Sequence, residues 1–158
     1  VAREELRLLF CGEAAQPGRP AVAMGDWRAE FMSRLGQSGI EAEWNSPEDH
    51  THTLSARTYV QTTRILREAT SNVIKHSQAS QCAVTCSIED GDFCVVIQDN
   101  GAGIPLELDG RLDRGHGVAS MKARAKQMSG QCLVESAQGY GTVIRLTLPL
   151  DRAVEPAA

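Results

Sequence analysis

The chain predicts a two-layer α/β sandwich, with a mixed, mainly antiparallel sheet of about five strands and helices on one face. Three observations carry this. Gln81 to Glu89 and Asp92 to Asp99 alternate apolar and polar residues on either side of Asp90-Gly91, the pattern of a β-hairpin. Gln131 to Ser136 and Thr142 to Leu148 form a second alternating pair around Gln138-Gly139-Tyr140-Gly141. Before and between the hairpins lie segments of helical period, each with one polar face.

Val1 to Phe10 reads as the end of a helix with Leu6, Leu9 and Phe10 on one side. Gly12 to Pro20 is a linker, because Pro17, Gly18 and Pro20 block regular structure. A helix runs from about Val22 to Gln37 and stops near Gly39. Ile40 to Trp44 alternates as a strand, and Asn45 to Thr53 is a polar loop. A long helix covers about Ser55 to His76, with Tyr59, Thr62, Leu66, Ala69 and Val73 facing inward. In the first hairpin Cys82, Val84, Cys86 and Ile88 share one side of their strand, as do Phe93, Val95 and Ile97 of theirs. Gly101 to Gly115 is a loop, Gly117 to Gln127 a helix, and Gly130 its C-terminal stop. Ile144, Leu146 and Leu148 share a face of the last strand, which ends at Pro149, and Asp151 to Ala158 reads as a frayed tail. The expected division is an upstream helix end and linker at 1–20, one domain at 21–150 and a tail at 151–158.

The 158 residues, 42% hydrophobic and 23% charged, suit one soluble domain with a real core. Aromatics make up only 4%, so the core is expected to rest on aliphatic side chains. A formal net charge of −4 argues against a nucleic-acid partner. No apolar run approaches the ~20 residues of a membrane span, and no signal peptide is visible. The chain opens on Val1 within a helix-like stretch and lacks an initiator Met, which is expected of a fragment of a longer protein. The five cysteines, Cys11, Cys82, Cys86, Cys94 and Cys132, include no C-x-x-C pair and read as small hydrophobes in a reducing cytoplasm.

The chemistry concentrates in three places. In Arg67 to Ser80, REATSNVIKHSQAS, the residues Glu68, Asn72 and Lys75 fall at i, i+4 and i+7. At ~100° per residue they lie within roughly 60° of one helix face, turned from the most apolar one. An acid, a neutral oxygen ligand and a cation suit a phosphate with its magnesium, though an i, i+7 ion pair on a solvated face accounts for the spacing equally well. Asp99 falls on the same side as Phe93, Val95 and Ile97 and needs donors if that side is buried. An adenine amino group is one candidate; a turn cap is the other, since Asp-Asn-Gly is a common turn. Gly101 and Gly103 remove side chains beside it and permit close approach of a flat ring. Gly115-His116-Gly117 opens a helix whose free N–H groups favour an anion, or it is a plain helix-start turn. The absence of G-x-x-x-x-G-K-[ST] excludes a P-loop, and the loop after Gly101 argues against a dinucleotide-binding fold. His50 and His52 sit in a polar loop, and Lys122, Arg124 and Lys126 read as solvent-facing or partner-facing.

The order and spacing of these segments resemble the GHKL ATPase superfamily in its histidine-kinase branch. REATSNVIKHSQAS resembles the N box, DNGAGI the G1 box, GHGVASMKARAKQMSG the G2 box, and GYGTVIRLTLPL the closing hairpin, all within roughly 54–149. The wording is similar to the sensor kinases that pair with LuxR/NarL-type response regulators. The resemblance implies a Bergerat-type sandwich that binds ATP and Mg2+ and passes the γ-phosphoryl to a histidine on an upstream dimerisation domain. It implies that Asn72 holds magnesium, with Glu68 in a base or supporting role, and that Lys75 and His76 face phosphates. It places Asp99 on the adenine amino group, Gly101 and Gly103 with Ile104 beneath the ring, and Thr142 at the adenine site. Gly115, His116, Gly117 and Val118 would close over the phosphates. The implied setting is cytoplasmic, in the cytoplasmic part of a membrane-anchored sensor or otherwise. There the full-length protein would be a homodimer, and this piece would touch neither nucleic acid nor membrane. The acceptor histidine's acidic motif does not occur here, the loop after Ile104 is short, and Thr70-Ser71 stands where Leu-Thr is more usual.

Overall fold

A computed structural model describes residues 18–49, 51–103, 117–137 and 139–152. The expectations for Val1 to Phe10, the start of the linker, His50, Ile104, Gly115, His116 and the end of the tail lie outside the described residues. Five strands form one sheet in the order β1-β3-β4-β6-β5: β1 Glu41–Asn45, β3 Gln81–Glu89, β4 Asp92–Asp99, β6 Gly141–Pro149 and β5 Gln131–Ala137. β1 runs parallel to β3, and the other three pairings are antiparallel. The expected mixed sheet is therefore present. A further small ladder pairs β2, His52–Thr53, with β7, Asp151–Arg152. This corrects the reading of both segments as loop and frayed tail; two-residue strands are too short to show a period.

Helix α1, Pro20–Gln37, begins with proline at its first position, where the missing N–H costs nothing. Its buried stripe is Pro20, Ala23, Met24, Trp27, Phe31 and Leu35. It ends at Gly39, φ +73°, with Ile40 N–H donating to Leu35 O at 3.0 Å. Helix α2, Ala56–Asn72, is capped by Ser55, whose hydroxyl accepts from Thr58 N–H at 3.1 Å. Val73–Ser77 continues it as one π-helical turn, so the expected α-helix to His76 stops at Asn72. The Ser77 hydroxyl donates to Val73 O at 2.6 Å, and Ala102 N–H donates to Ser77 O at 2.6 Å, pinning the widened turn to the loop after β4. Helix α3, Val118–Gln127, ends with Ser129 in the left-handed conformation and Gly130 N–H donating to Ala125 O at 2.9 Å. The stop is thus made by Ser129. Gly130 is needed for space, since a Cβ there would meet Thr147 O.

The helices cover one face of the sheet. Val84, Val95, Ile97, Ile144, Leu146 and Leu148 are buried beneath them, with Cys82, Cys86 and Cys132 as small apolar fillers. Burial pushes the Cys82 and Cys86 thiols up to about 12 and Cys132 up to about 11, which keeps them protonated and inert. The few aromatics are concentrated where α1 meets α2 and the sheet. Trp27 stacks on Tyr59 with centroids 5.6 Å apart and on Phe93 at 6.1 Å, and donates from Nε1 to Thr63 Oγ1 at 2.8 Å. Phe31 packs tilted on Trp44 at 5.5 Å. The hairpin of β3 and β4 turns on Asp90 (φ +52°) and Gly91 (φ +82°), the two left-handed residues of the turn that Asp-Gly predicts. No helix among the described residues is long and apolar enough to cross a membrane.

The two tryptophans separate packing from hydrogen bonding. Trp44 is buried with an unpartnered Nε1, whereas Trp27 Nε1 is bonded. Trp44→Phe is expected to cost less than about 1 kcal/mol, because it removes an unsatisfied donor along with some volume. Trp27→Phe is expected to cost roughly 1–3 kcal/mol, because the buried hydrogen bond to Thr63 and part of the stacked ring are lost, although Thr63 keeps its own bond to Tyr59 O. Urea unfolding of the two variants checks this order.

Candidate nucleotide site

At the end of β4 the sheet's helix-facing side turns polar. Strand register aligns Ala42, Cys82, Asp99, Thr142 and Ser136 across all five strands. Asp99 is 7% exposed and Thr142 4%. Burial pushes the Asp99 carboxyl above its ordinary value, while the N–H groups of Gly101 and Thr142 draw it back. Gly101 N–H donates to Asp99 Oδ1 at 2.8 Å. The Ser136 hydroxyl lies 3.0 Å from Thr142 Oγ1 and donates to Gly141 O at 3.2 Å.

The loop after β4 is held by backbone contact that side chains would prevent. Asn100 Oδ1 accepts from Ser80 N–H at 3.0 Å and Gln81 N–H at 2.9 Å, tying the loop to the start of β3. A Cβ on Gly101 would collide with Ser77 O, and one on Gly141 with Asp99 O. Gly103 takes φ +86°, and its Cβ would come within 2.6 Å of Ala137 O. The glycines therefore let three backbone segments meet around Asp99; the space beside Gly101 and Gly103 is taken by Ser77 and Ala137.

The end of α2 supplies the second half of the site. Asn72 is buried at 6% exposure, Glu68 is half-buried, and Lys75 and His76 are exposed on the π-helical turn. The wider turn breaks the 100° step, so Lys75 does not share the arc expected for the trio. Asn72 also departs from its expected outward face: it is buried with the core. Gly117, φ +66°, sits at the start of α3 against Glu68, whose carboxylate a Cβ there would strike. Val118 is buried directly after it.

A sequence profile described as histidine kinase-, DNA gyrase B- and HSP90-like ATPase matches residues 58–152. The chain belongs to this ATPase family. It is homologous to the nitrate/nitrite sensor proteins of Escherichia coli. It is 36% identical to NarX over 145 residues, covering 90% of this chain and 23% of NarX. It is also 36% identical to NarQ over 97 residues, covering 60% of this chain and 16% of NarQ. The sensor histidine kinase LiaS of Bacillus subtilis is 37% identical over 87 residues, 55% of this chain and 24% of LiaS. The chain thus spans about a quarter or less of the length of these relatives. Among solved structures, the histidine kinase domain of the Erythrobacter litoralis blue-light-activated kinase superposes with a TM-score of 0.73 at 16% identity, covering 93% of this chain and 72% of that one. Full-length ShkA in complex with AMPPNP superposes with a TM-score of 0.69 at 20% identity, covering 90% of this chain and 32% of that one. These likenesses establish the histidine-kinase ATPase fold.

In this ATPase domain the fold gathers Asp99, Gly101, Gly103 and Thr142 at one sheet end, and sets Glu68 against Gly117 beside the end of α2. Ser77, Asn100 and Ser136 join them without having stood out in the sequence. Ser136 is hidden in a strand pattern, and Ser77 in a helix end. His52 pairs instead with Asp49 at 2.9 Å, and Arg124, expected to face solvent or a partner, donates to Gln61 Oε1 at 3.0 Å. A hollow of about 280 Å³ beside the ends of β1, β3 and β4 is lined by Glu41, Glu43, Gln81, Gln98, Asp99, Asn100 and Tyr140.

The buried carboxylate has a stability consequence. Its folded-state pKa lies above the ordinary 3.8, so the charged form is disfavoured in the folded chain. The penalty is complete above the folded pKa and fades as pH falls through it toward 3.8. Asp99→Asn is therefore expected to raise Tm at pH 7.5 by on the order of 2 °C. The gain should shrink on acidification, as followed by circular dichroism melting across pH.

Proposed function

We propose that this domain binds ATP with magnesium and is the catalytic domain of a sensor histidine kinase. It would pass the γ-phosphoryl to a histidine on an upstream dimerisation domain, for relay to a LuxR/NarL-type response regulator. The observation that carries the reading is the Asp99 carboxylate, buried at the end of β4, where the N–H groups of Gly101 and Thr142 offset only part of the cost of burial. Such a group gains from a further donor, and the 6-amino group of adenine is one.

The other residues fit a triphosphate running from that end toward α2. Thr142 adds a hydroxyl beside the adenine edge, and Gly101 and Gly103, packed against Ser77 and Ala137, let the main chain close around Asp99 there. Asn72 supplies a neutral carboxamide oxygen, which suits a magnesium ion that keeps waters and takes phosphate oxygens as ligands. Magnesium, when bound, neutralises the phosphate charge that develops in transfer. Lys75 and His76, exposed on the turn, can reach phosphates. Glu68 is the carboxylate placed to take or orient a proton on the incoming imidazole.

The partners follow from the same reading. The acceptor domain and the dimer contacts belong to upstream helices of a longer cytoplasmic or membrane-anchored sensor. The likeness to NarX and NarQ supports a NarL-type regulator as the final acceptor.

Calorimetric titration with ATP and magnesium tests the reading. Asp99→Asn is expected to weaken ATP binding ten- to hundredfold, the loss of a hydrogen bond to a charged group. Unchanged affinity in a folded Asp99→Asn chain contradicts the assignment.

A further inference from the structure

We propose that Asn100 is a site of spontaneous covalent modification, deamidation through the nitrogen of Gly101, which contacts with the start of β3 hold shut until the loop opens. The inference stands apart from the nucleotide reading. Of the three asparagines, Asn45, Asn72 and Asn100, only Asn100 precedes a glycine. A glycine has no Cβ to shield its nitrogen or restrict its backbone, so Asn-Gly cyclises most readily. The nitrogen of Gly101 gives up its proton and bonds to Asn100 Cγ, and the Cγ–Nδ2 bond breaks with release of ammonia. Solvent water then opens the cyclic imide. Attack at Cγ leaves aspartate. Attack at the main-chain carbonyl carbon leaves iso-aspartate, with the chain running through the former side chain.

Packing keeps the glycine in place, because a Cβ on Gly101 would collide with Ser77 O. Protection must therefore come from contacts. Asn100 is exposed, so water reaches its amide. Its Oδ1 accepts from Ser80 N–H at 3.0 Å and Gln81 N–H at 2.9 Å, and its Nδ2 donates to Ser80 Oγ at 2.9 Å. Two backbone donors on one atom fix which end of the amide is the oxygen. Asn100 N–H also donates to Gln81 O at 3.2 Å. The amide is thus turned to β3, while Gly101 N–H is turned to Asp99 Oδ1 at 2.8 Å. Ring closure has to swing Cγ off β3 and onto that nitrogen. Asp99, when ionised, also disfavours the negative nitrogen that attacks. The reaction therefore waits on local opening of the loop. Iso-aspartate adds a methylene to the main chain between two anchors, Asn100 N–H on Gln81 O and Ala102 N–H on Ser77 O. The modified loop can no longer meet both as the native one does.

The test ages the chain in mildly alkaline buffer, folded and in urea, and follows conversion of amide to acid at each asparagine by peptide mass mapping. Asn100 should convert more than about tenfold more slowly in the folded chain. Ser80→Ala removes the acceptor of Nδ2 at an exposed position. It should speed conversion of Asn100 in the folded chain about fivefold, the scale of one hydrogen bond. Asn45 in the same chain should keep its rate, because the opening is local. Ser80→Thr, which keeps the hydroxyl, should leave Asn100 slow. Equal rates at Asn100 in folded and urea-unfolded chain overturn the inference. So does a Ser80→Ala chain that converts Asn100 at the wild-type rate, or one that speeds Asn45 equally. A chain aged in urea, refolded and shown to carry iso-aspartate at position 100 should melt below an unaged chain taken through the same steps, and equal melting overturns the role given to the two anchors.

Discussion

A carboxylate held at the buried end of a strand governs this domain. Asp99 is placed there by the same two-residue alternation that sinks Phe93, Val95 and Ile97 into the core. Its surroundings, Cys82 on one side and Thr142 on the other, cannot solvate a charge as water does. The N–H groups of Gly101 and Thr142 compensate in part, and the carboxyl stays above its ordinary pKa. A site with this imbalance favours a ligand that brings its own donors.

The two ends of the site are joined by backbone. The π-helical turn after α2 carries Ser77 O to Ala102 N–H, and Gly101 permits that approach because it has no Cβ to meet Ser77. Asn72, one residue before the turn, is thereby fixed relative to Asp99 through a short path of main chain. Gly139 N–H, donating to Ala102 O at 3.0 Å, extends the tie to the β5–β6 hairpin. Small shifts of the loop would move Asp99 and the end of α2 together.

Much of the architecture could be read from residues alone. Asp90-Gly91 marks the first hairpin, and alternation marks Asp99 as inward. What escaped depends on contacts between distant segments. The π-helical turn arises where Ser77 meets the loop after β4, so local spacing alone continues the α-helix and puts Lys75 on the wrong arc. β2 and β7 exist only as each other's partners. Asn72 was expected outward because its polarity matches a solvated face; its burial is set by where α2 ends against the sheet. Ser136 reads as one polar residue among several in β5, and its contact with Thr142 emerges only once register sets the two opposite each other.

The most direct measurement is a crystal structure of the chain with a non-hydrolysable ATP analogue and magnesium. The account predicts the exocyclic amino group of adenine within about 3 Å of an Asp99 carboxylate oxygen, with the triphosphate running toward Asn72. A purine seated elsewhere, with Asp99 bonded only to the N–H groups of Gly101 and Thr142, would contradict it.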